Sequence, residues 1–317
     1  MIKKIIPFVF LFVTACQPAV TATATEIVVI PSSTPIPVQP TQTVIPSPMP
    51  SPTVAVPTTS AAINISAKDG MTQILIPAGT FFMGGMDVYR ENDEMPAHEV
   101  FLDEFWMDQV EVTNGMYGLC VGEGACRPPS ELRSDNREEY FRDLEFQDYP
   151  VVFVTWYDAD VYCQWAGRRL PTEAEWERAA RGDDKRNYPW GDELPNEYNV
   201  NGMNLVGDTT RVGSFAEGAS PFGVLDMAGN VWEWVADRYR PDYYSKTPLE
   251  NPKGPSAEEV FNTMRVIRGG SFQEDGVILR LANRSFLDGP DPNAQPEDAA
   301  FYGRSSAIIG FRCAADP

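Results

Sequence analysis

The stretch VTWYDADVYCQWAGRRLPTEAEWERAARG, residues 154–182, predicts two consecutive helices and with them the fold class. In its first half, Thr155 is a favoured N-cap residue and Asp158 stands at the third helical position. Gly167 is expected to end this helix, because glycine readily adopts the left-handed conformation that closes many helices. Pro171 follows soon after and cannot continue a helix. The first helix is therefore predicted between Thr155 and Gly167.

The second half of the stretch carries a capping box. Thr172 is the expected N-cap, Glu175 reaches back to it, and Gly182 is the expected residue just past the helix end. Upstream, TQILIPAGTFFMGG (residues 72–85) has two short apolar runs around Pro77-Ala78-Gly79, which predicts a hairpin. Downstream of Gly182, Gly, Asn, Asp and Pro interrupt every regular pattern. Residues 63–317 are therefore predicted to form one α+β domain of low regularity, with two main helices and short antiparallel strands.

The first 16 residues have the features of a secretory leader. Lys3 and Lys4 are followed by an apolar run over residues 5–13, about half the ~20 residues that a spanning helix needs. The run ends in VTAC, which resembles a bacterial lipobox with Cys16 as the lipidated residue. Two or three acyl chains would anchor the protein stably at the extracytoplasmic face of the bacterial cell envelope. The alternative is an ordinary cleaved signal peptide with an incidental cysteine.

Residues 17–62 are rich in Pro, Thr and Ser, and Glu26 is their only charge. Frequent proline removes backbone donors and fixes φ, so neither a helix nor a sheet is expected there. This segment is predicted to be a disordered, extended tether between the anchor and the domain.

The formal net charge is −20, from 25 basic and 45 acidic residues. Such a surface repels phosphate groups, so nucleic acid is not an expected partner, and the membrane is expected only through the lipid anchor. Acidic oxygens do suit Ca²⁺. The single histidine excludes a site that needs two imidazoles from one chain.

Four cysteines remain after Cys16, and an exported chain lies in an oxidising compartment. Cys120 and Cys126 lie in the run CVGEGAC, whose two glycines permit a local disulfide between them. A bridge between Cys163 and Cys313 would tie the chain end to the first helix, and closing so long a loop is worth ~3–5 kcal/mol. A four-thiolate zinc site is the alternative, although it favours closer C-x-x-C pairs.

Seven segments occur in an order that resembles the formylglycine-generating enzyme (sulfatase-modifying factor) family. They lie between about residues 74 and 315: IPAGTFFMGG, VEVTNGMY, YPVVFVTWYDADVYCQWAGRRLPTEAEWERAARG, YPWGD, FGVLDMAGNVWEWVADRY, VIRGGSF and GFRCA. The resemblance implies a fold akin to the C-type lectin fold, stabilised by calcium and disulfides. It also supports Cys163–Cys313 as the family's disulfide.

The family's oxidases bind copper through two cysteines that follow the Gly-Gly-Ser turn, and they convert a sulfatase cysteine to formylglycine. Counted from Ser271, those positions are Glu274 and, across a shorter loop, Leu279. Copper(I) prefers soft sulfur ligands, which a carboxylate and an aliphatic side chain cannot replace. Copper is therefore not expected, and no catalytic residue is assigned.

Structural calcium is the cofactor that the resemblance implies. It maps one site to Asp226, Gly229, Val231 and Glu233, where two carboxylates and two carbonyls suit Ca²⁺. A second site maps to Asn199 and Val200, and its downstream ligands are not assigned because the segment that would carry them is shorter here.

Arg280 and Arg284 are candidates for the rim of a site for an anionic ligand; the alternative is that they pair with this chain's many acids. We therefore expect a non-catalytic binding or scaffolding module whose ligand is a protein, a small molecule or a glycan. The alternative is a formylglycine-generating oxidase, in which Cys120 and Cys126 would have to serve as a relocated redox pair.

Overall fold

The computed structural model describes residues 62–317. The expected leader with Cys16, and the expected tether except for its last residue, lie outside the described residues. Across 62–317, no helix combines the length and the apolar character that crossing a membrane would take.

The fold is a mixed arrangement of a few helices and many short strands, as expected. The α-helices are α1 (Asn114–Gly122), α2 (Trp156–Trp165), α3 (Glu173–Arg181) and α4 (Ala299–Tyr302). The strands are β1 (Ile63–Ile65), β2 (Thr72–Ile76), β3 (Gly79–Met83), β4 (His98–Leu102), β5 (Phe105–Asp108), β6 (Trp232–Arg238), β7 (Met264–Arg268), β8 (Ser285–Asp288), β9 (Ile309–Phe311) and β10 (Ala314–Ala315). Between α3 and β6, the only helical turn is the short 3₁₀ segment Ala216–Gly218.

The strands form three small sheets, in the orders β1-β2-β5-β10, β3-β4 and β8-β7-β6-β9. Their pairs are antiparallel except for β6 with β9, which is parallel. The predicted hairpin around Pro77 is wrong. β2 pairs with β1 and β5, whereas β3 pairs with β4, because the chain changes sheets at Pro77-Ala78 instead of folding back.

The two predicted helices are confirmed with their caps. The Thr155 and Thr172 side chains accept from the backbone N–H of Asp158 and Glu175, and both capping boxes are complete. The helix α1 was not predicted. Its glycines lower the helix propensity of NGMYGLCVG, yet Thr113 caps it and its Tyr117 side chain is fully buried, so packing overrides propensity.

Both expected disulfides are present, Cys120–Cys126 at the end of α1 and Cys163–Cys313 between α2 and the residue before β10. Their sulfur atoms are buried in a hydrophobic cluster formed by α1, α2 and the third sheet. Because each of the four cysteines of residues 62–317 is oxidised, no thiolate set for zinc remains in this part of the chain.

Candidate functional site

The segment that follows β7 turns sharply at Gly269 and Gly270, both of which have positive φ (95° and 75°). A side chain at Gly269 would approach the Trp176 ring, and one at Gly270 would lie 2.8 Å from a methyl carbon of Leu279. Glycine is therefore required here by both conformation and space. The turn directs residues 271–278 to the edge of a groove.

This groove has a volume of about 570 Å³. Apolar and polar groups contribute about equally to its walls. The apolar side chains are Trp232, Ile267, Ile278, Leu287, Ile308 and Ile309, and the polar ones are Glu91, Glu274, Asn283, Arg284, Ser285, Arg304, Ser305 and Ser306. The carboxylate of Glu274 is half-buried, and the Trp232 indole N–H donates to it at 3.2 Å. Glu274, one of the two positions singled out in the sequence, thus lies at the groove.

Leu279, the other position, lies away from the solvent. It is fully buried in a cluster with Tyr188, Val200 and Ala228. The structure therefore does not bring the two positions to one surface. Glu274 faces the groove, whereas Leu279 packs against the Gly270 turn inside the domain.

Arg280 and Arg284 were candidates for a ligand-binding rim, but both are 4% exposed or less. Arg280 donates to both carboxylate oxygens of Glu94 at 2.9 and 2.8 Å, and it also pairs with Asp87. Arg284 makes a two-pronged contact with Glu173 at 2.7 and 2.9 Å. These guanidinium groups are bound by acids inside the domain, which corrects the expectation of an open, anion-binding rim.

Arg268, just before the turn, belongs to the same buried network. It donates to Glu173 at 2.9 Å and to Glu177 at 2.7 Å, both on α3. Arg181 adds a second pair to Glu177 at 2.9 Å. This network fixes α3 to the groove segment, because each buried charge has a hydrogen-bonded partner of opposite sign.

The first expected calcium set lies at the start of β6. Glu233 accepts from Arg312 through both oxygens, each at 2.7 Å, and from the Trp176 indole at 2.8 Å. Asp226 has a left-handed backbone (φ 57°) and accepts from the Gly213 N–H at 2.5 Å. Both carboxylates are buried within one electrostatic cluster.

A third carboxylate, Glu111, belongs to this cluster and was missed in the sequence. It is fully buried; one oxygen accepts from Asn230 at 3.0 Å, while Oε2 has no partner among the described residues. Burial and the nearby Asp226 raise the pKa of Glu111 well above its usual range, and burial also raises the pKa of Asp226. Nothing in the run VEVTN marks Glu111 as buried, so only tertiary contacts reveal it.

This cluster contains oxygen donors of the kind that Ca²⁺ prefers, but they are not arranged as a metal site, since both Glu233 oxygens are already bound by Arg312. Three carboxyl groups face one guanidinium group, Arg312, so the cluster would have a surplus of two negative charges only with all three deprotonated, and one divalent cation would balance that surplus. The unpartnered Glu111 oxygen is the kind of hard donor that Ca²⁺ prefers. Asp226 and Glu233, with carbonyls of Gly229 and Val231, would hold the ion, and its role there would be to order the loop.

The second expected set does not come together in this way. The Asn199 side-chain oxygen accepts from Asn196 N–H at 2.9 Å, and the Val200 side chain packs beside Leu279. The nearest acid downstream, Asp208, accepts from three protein groups: the Ser134 hydroxyl, and the Asn136 and Thr209 N–H groups. Within residues 62–317, moreover, no group of three or more His, Cys, Asp or Glu side chains has a metal-binding arrangement.

Comparison with known sequences matches this chain to one family. A model of the family described as Sulfatase-modifying factor enzyme 1-like domain matches residues 59–317. The formylglycine-generating enzyme of Streptomyces coelicolor is 33% identical over 321 residues, covering 83% of this chain and 96% of that enzyme. Serine/threonine-protein kinase pkn1 of Chlamydia pneumoniae is 37% identical over 254 residues, which cover 76% of this chain. The chain spans only 37% of the length of this kinase-named relative.

Solved structures show the same fold. PvdO from Pseudomonas aeruginosa superposes with a TM-score of 0.63 at 28% identity, over 81% of this chain and 98% of PvdO. CarF superposes with a TM-score of 0.54 at 19% identity, over 78% of this chain and 98% of CarF, and shows the fold alone. The chain belongs to the family of sulfatase-modifying factor enzyme 1-like domains.

Proposed function

We propose that this domain is a binding or scaffolding member of its family that does not perform the oxidase reaction of the formylglycine-generating enzymes. The observation that carries the proposal is the state of the sulfur atoms. Glu274 and Leu279 occupy the positions expected to bind copper, and all four cysteines of residues 62–317 form disulfides. Copper(I) requires soft ligands, so a carboxylate and a buried leucine do not provide a site for it.

The groove supports recognition of a ligand instead of a reaction on it. Its apolar walls supply buried contact area, while the half-buried Glu274 and the serines near Arg304 supply a few directional polar groups. Ligand sites are usually concave and combine apolar side chains with polar groups that fix the orientation of the ligand. The ligand would be a protein segment, a small molecule or a glycan.

We further propose that calcium at Asp226 and Glu233 is structural, and that a lipid on Cys16 holds the domain at the extracytoplasmic face of the bacterial cell envelope. The cation would order the loop that precedes β6, whose first residue, Trp232, lines the groove. Mass spectrometry of the mature N-terminal peptide would detect the acyl chains on Cys16 directly.

A formylglycine-generating oxidase is the second candidate. It is favoured by the 33% identity to the Streptomyces coelicolor enzyme over nearly the whole length of that enzyme. Such an activity would need thiols, and the closest pair in sequence is Cys120 and Cys126. Both are buried and joined to each other at the end of α1.

One experiment separates the two candidates. Purified protein would be titrated with Cu(I) against a competing chelator, and oxygen consumption would be followed with a peptide containing C-x-P-x-R. We expect no tight copper binding, no oxidation of the peptide and four protected cysteines under non-reducing, denaturing conditions. Copper-dependent oxidation that disappears on Cys120→Ser or Cys126→Ser would refute the binding proposal.

A further inference from the structure

The groove beside the double-glycine turn contains two acids that lack a basic partner. Glu274 and Glu91 both line it, and within residues 62–317 neither of them pairs with a lysine or an arginine. The charge of these two groups is therefore not compensated by the protein itself. In a chain with a net charge of −20, nearby acids add to the negative potential of the groove.

The two arginines of the groove lining are already paired with acids. Arg284 is buried, with Glu173 accepting from Nε and Nη2 at 2.7 and 2.9 Å and the Asp93 carbonyl accepting from Nη1 at 2.8 Å. Arg304 pairs with Asp288 at 3.2 Å, and its side chain is 70% exposed. The free charge in the groove is therefore negative, which favours a cation as the ligand.

Glu274 is held in place by three hydrogen bonds. Its backbone N–H donates to the Ser271 carbonyl at 3.1 Å, and its own carbonyl accepts from the Met203 N–H at 2.8 Å. One carboxylate oxygen, Oε1, accepts from the Trp232 indole at 3.2 Å, whereas Oε2 has no partner in the part of the chain that the structure describes. A half-buried carboxylate with one free oxygen is thus pre-organised at the groove, so little conformational freedom is lost on binding.

The backbone that carries Glu91 is fixed to the same segment of the chain. Glu91 directly precedes a short 3₁₀ turn, in which the Asp93 carbonyl accepts from Arg284. In the same turn, Glu94 accepts from Arg280 through both oxygens, at 2.9 and 2.8 Å. The Glu91 side chain itself is exposed. Glu91 therefore adds negative potential, while the less exposed Glu274 is placed to make the direct contact.

On the basis of the binding role proposed above, we propose that this groove binds a small primary amine with an apolar body. An ammonium is a compact charge with three donors. It suits the single free oxygen of Glu274 better than a guanidinium does, because the planar fork of a guanidinium needs both oxygens. The apolar body lies against the half-buried side chains of Ile278, Leu287 and Ile308. The groove volume of about 570 Å³ is in the range of sites for small organic molecules.

The test is a titration of the purified protein with hexylamine and benzylamine at pH 7, followed by NMR of the indole N–H groups. Hexanol and benzyl alcohol serve as the uncharged partners of these probes, and hexanoate serves as the anion. We expect saturable binding of the amines, with affinities weaker by about tenfold or more for the alcohols and for hexanoate. The Trp232 indole resonance, assigned with Trp232→Phe, should shift because its acceptor also binds the amine.

Variants separate a direct contact at Glu274 from general attraction to an acidic chain. Glu274→Gln should weaken amine binding by about tenfold or more, and Glu274→Lys should reverse the preference, so that hexanoate binds and hexylamine does not. Glu91→Gln should weaken it by only about two- to threefold, because solvent screens the more exposed charge. Glu104→Gln is the matched control: it removes an equal charge from an exposed residue outside the groove lining, and it should bind as the wild type does.

Three results would overturn the proposal. The first is absence of saturable amine binding to the wild-type protein. The second is unchanged amine affinity in a Glu274→Gln variant that keeps the cooperative unfolding transition of the wild type. The third is an equal loss of affinity in Glu104→Gln and Glu274→Gln, since net charge alone would then explain the binding.

A peptide arm tests the lysine side chain of a protein segment as the occupant. A short peptide with one lysine and both termini blocked is compared with hexylamine. Weaker binding of the peptide supports a small amine, and tighter binding overturns that assignment. The copper experiment reports separately on the binding role: failure of amine binding without copper-dependent oxidation leaves that role standing, whereas such oxidation refutes it whether or not amines bind.

Discussion

Residues 273–278 and residues 279–284 follow the same double-glycine turn, yet they have opposite environments. The first part is half-buried or exposed, and the carboxylate of Glu274 faces the groove with the Trp232 indole as its only donor among residues 62–317. The second part is buried, and both of its arginines are paired with acids from other parts of the chain. The arginines of the second part therefore hold the domain together, whereas the first part presents its side chains to the groove and to solvent.

The largest expected effect comes from removing one arginine of the buried arginine–carboxylate network. Arg268→Met should lower the free energy of unfolding by about 3–5 kcal/mol, because Glu173 and Glu177 would each lose a buried partner. Urea unfolding at pH 7 measures the change. Glu274→Gln is the matched control on the groove side, and it should stay within about 0.5 kcal/mol of the wild type. Equal losses in both variants would remove the distinction between the two parts.

A second prediction tests accessibility at the two positions that the family's cysteines would occupy. Glu274→Cys should place at position 274 a thiol that reacts readily with a thiol reagent. Leu279→Cys should place a protected thiol at position 279, and it should cost about 1–3 kcal/mol of stability because it leaves a gap in the cluster of Tyr188 and Val200. Rapid labelling of the thiol at position 279 in the native state would show that this part of the segment opens to the groove.

The third prediction concerns pH, where the change expected over a single pH unit is the smallest of the three effects, and it belongs to the buried network alone. Burial and Glu173 raise the pKa of Asp237 from 3.8 to about 8. The folded state therefore holds this proton more tightly than the unfolded state. The stability that it contributes is fully present below pH 3.8 and is lost progressively as the pH rises to about 8.

Asp237→Asn should remove this part of the pH dependence while its side-chain oxygen still accepts from the Glu173 N–H. The difference in unfolding free energy between variant and wild type should grow with pH by at most about 1.4 kcal/mol per unit. Thermal unfolding across pH 4–8 measures it. Asp108, whose pKa burial raises to about 6, is present in both proteins and cancels in the difference. A constant difference over this range would contradict the assignment.

Local signals in the sequence were sufficient for α2 and α3, because capping side chains and closing glycines act within a few residues of each other. Local signals were insufficient at Pro77. The apolar runs on either side of it do form the strands β2 and β3, but these strands pair with other strands and not with each other. Local signals also failed for α1, whose glycine-rich sequence is held in a helix by the burial of Tyr117. Pairing across the chain depends on contacts that no short window contains.

The candidate site divides in the same way. Asp226 and Glu233, named together from the family motif, are close in sequence, and the structure buries both in one electrostatic cluster. Glu111 is separated from them by more than a hundred residues and joins them only through the fold. For Arg280 and Arg284, the sequence alone left open whether the partner is a ligand or an acid of this chain. In the structure they pair with Glu94 and Glu173, which come from distant parts of the chain.

The disulfide Cys163–Cys313 encloses a loop of 150 residues, and Phe261 is fully exposed within that loop. A protease cut beside Phe261 would divide the backbone without dividing the molecule, since both fragments remain covalently joined through sulfur. The nicked protein would keep the mass of an intact chain, plus one water, until it is reduced. This bond would therefore keep both fragments of a nicked domain within one molecule.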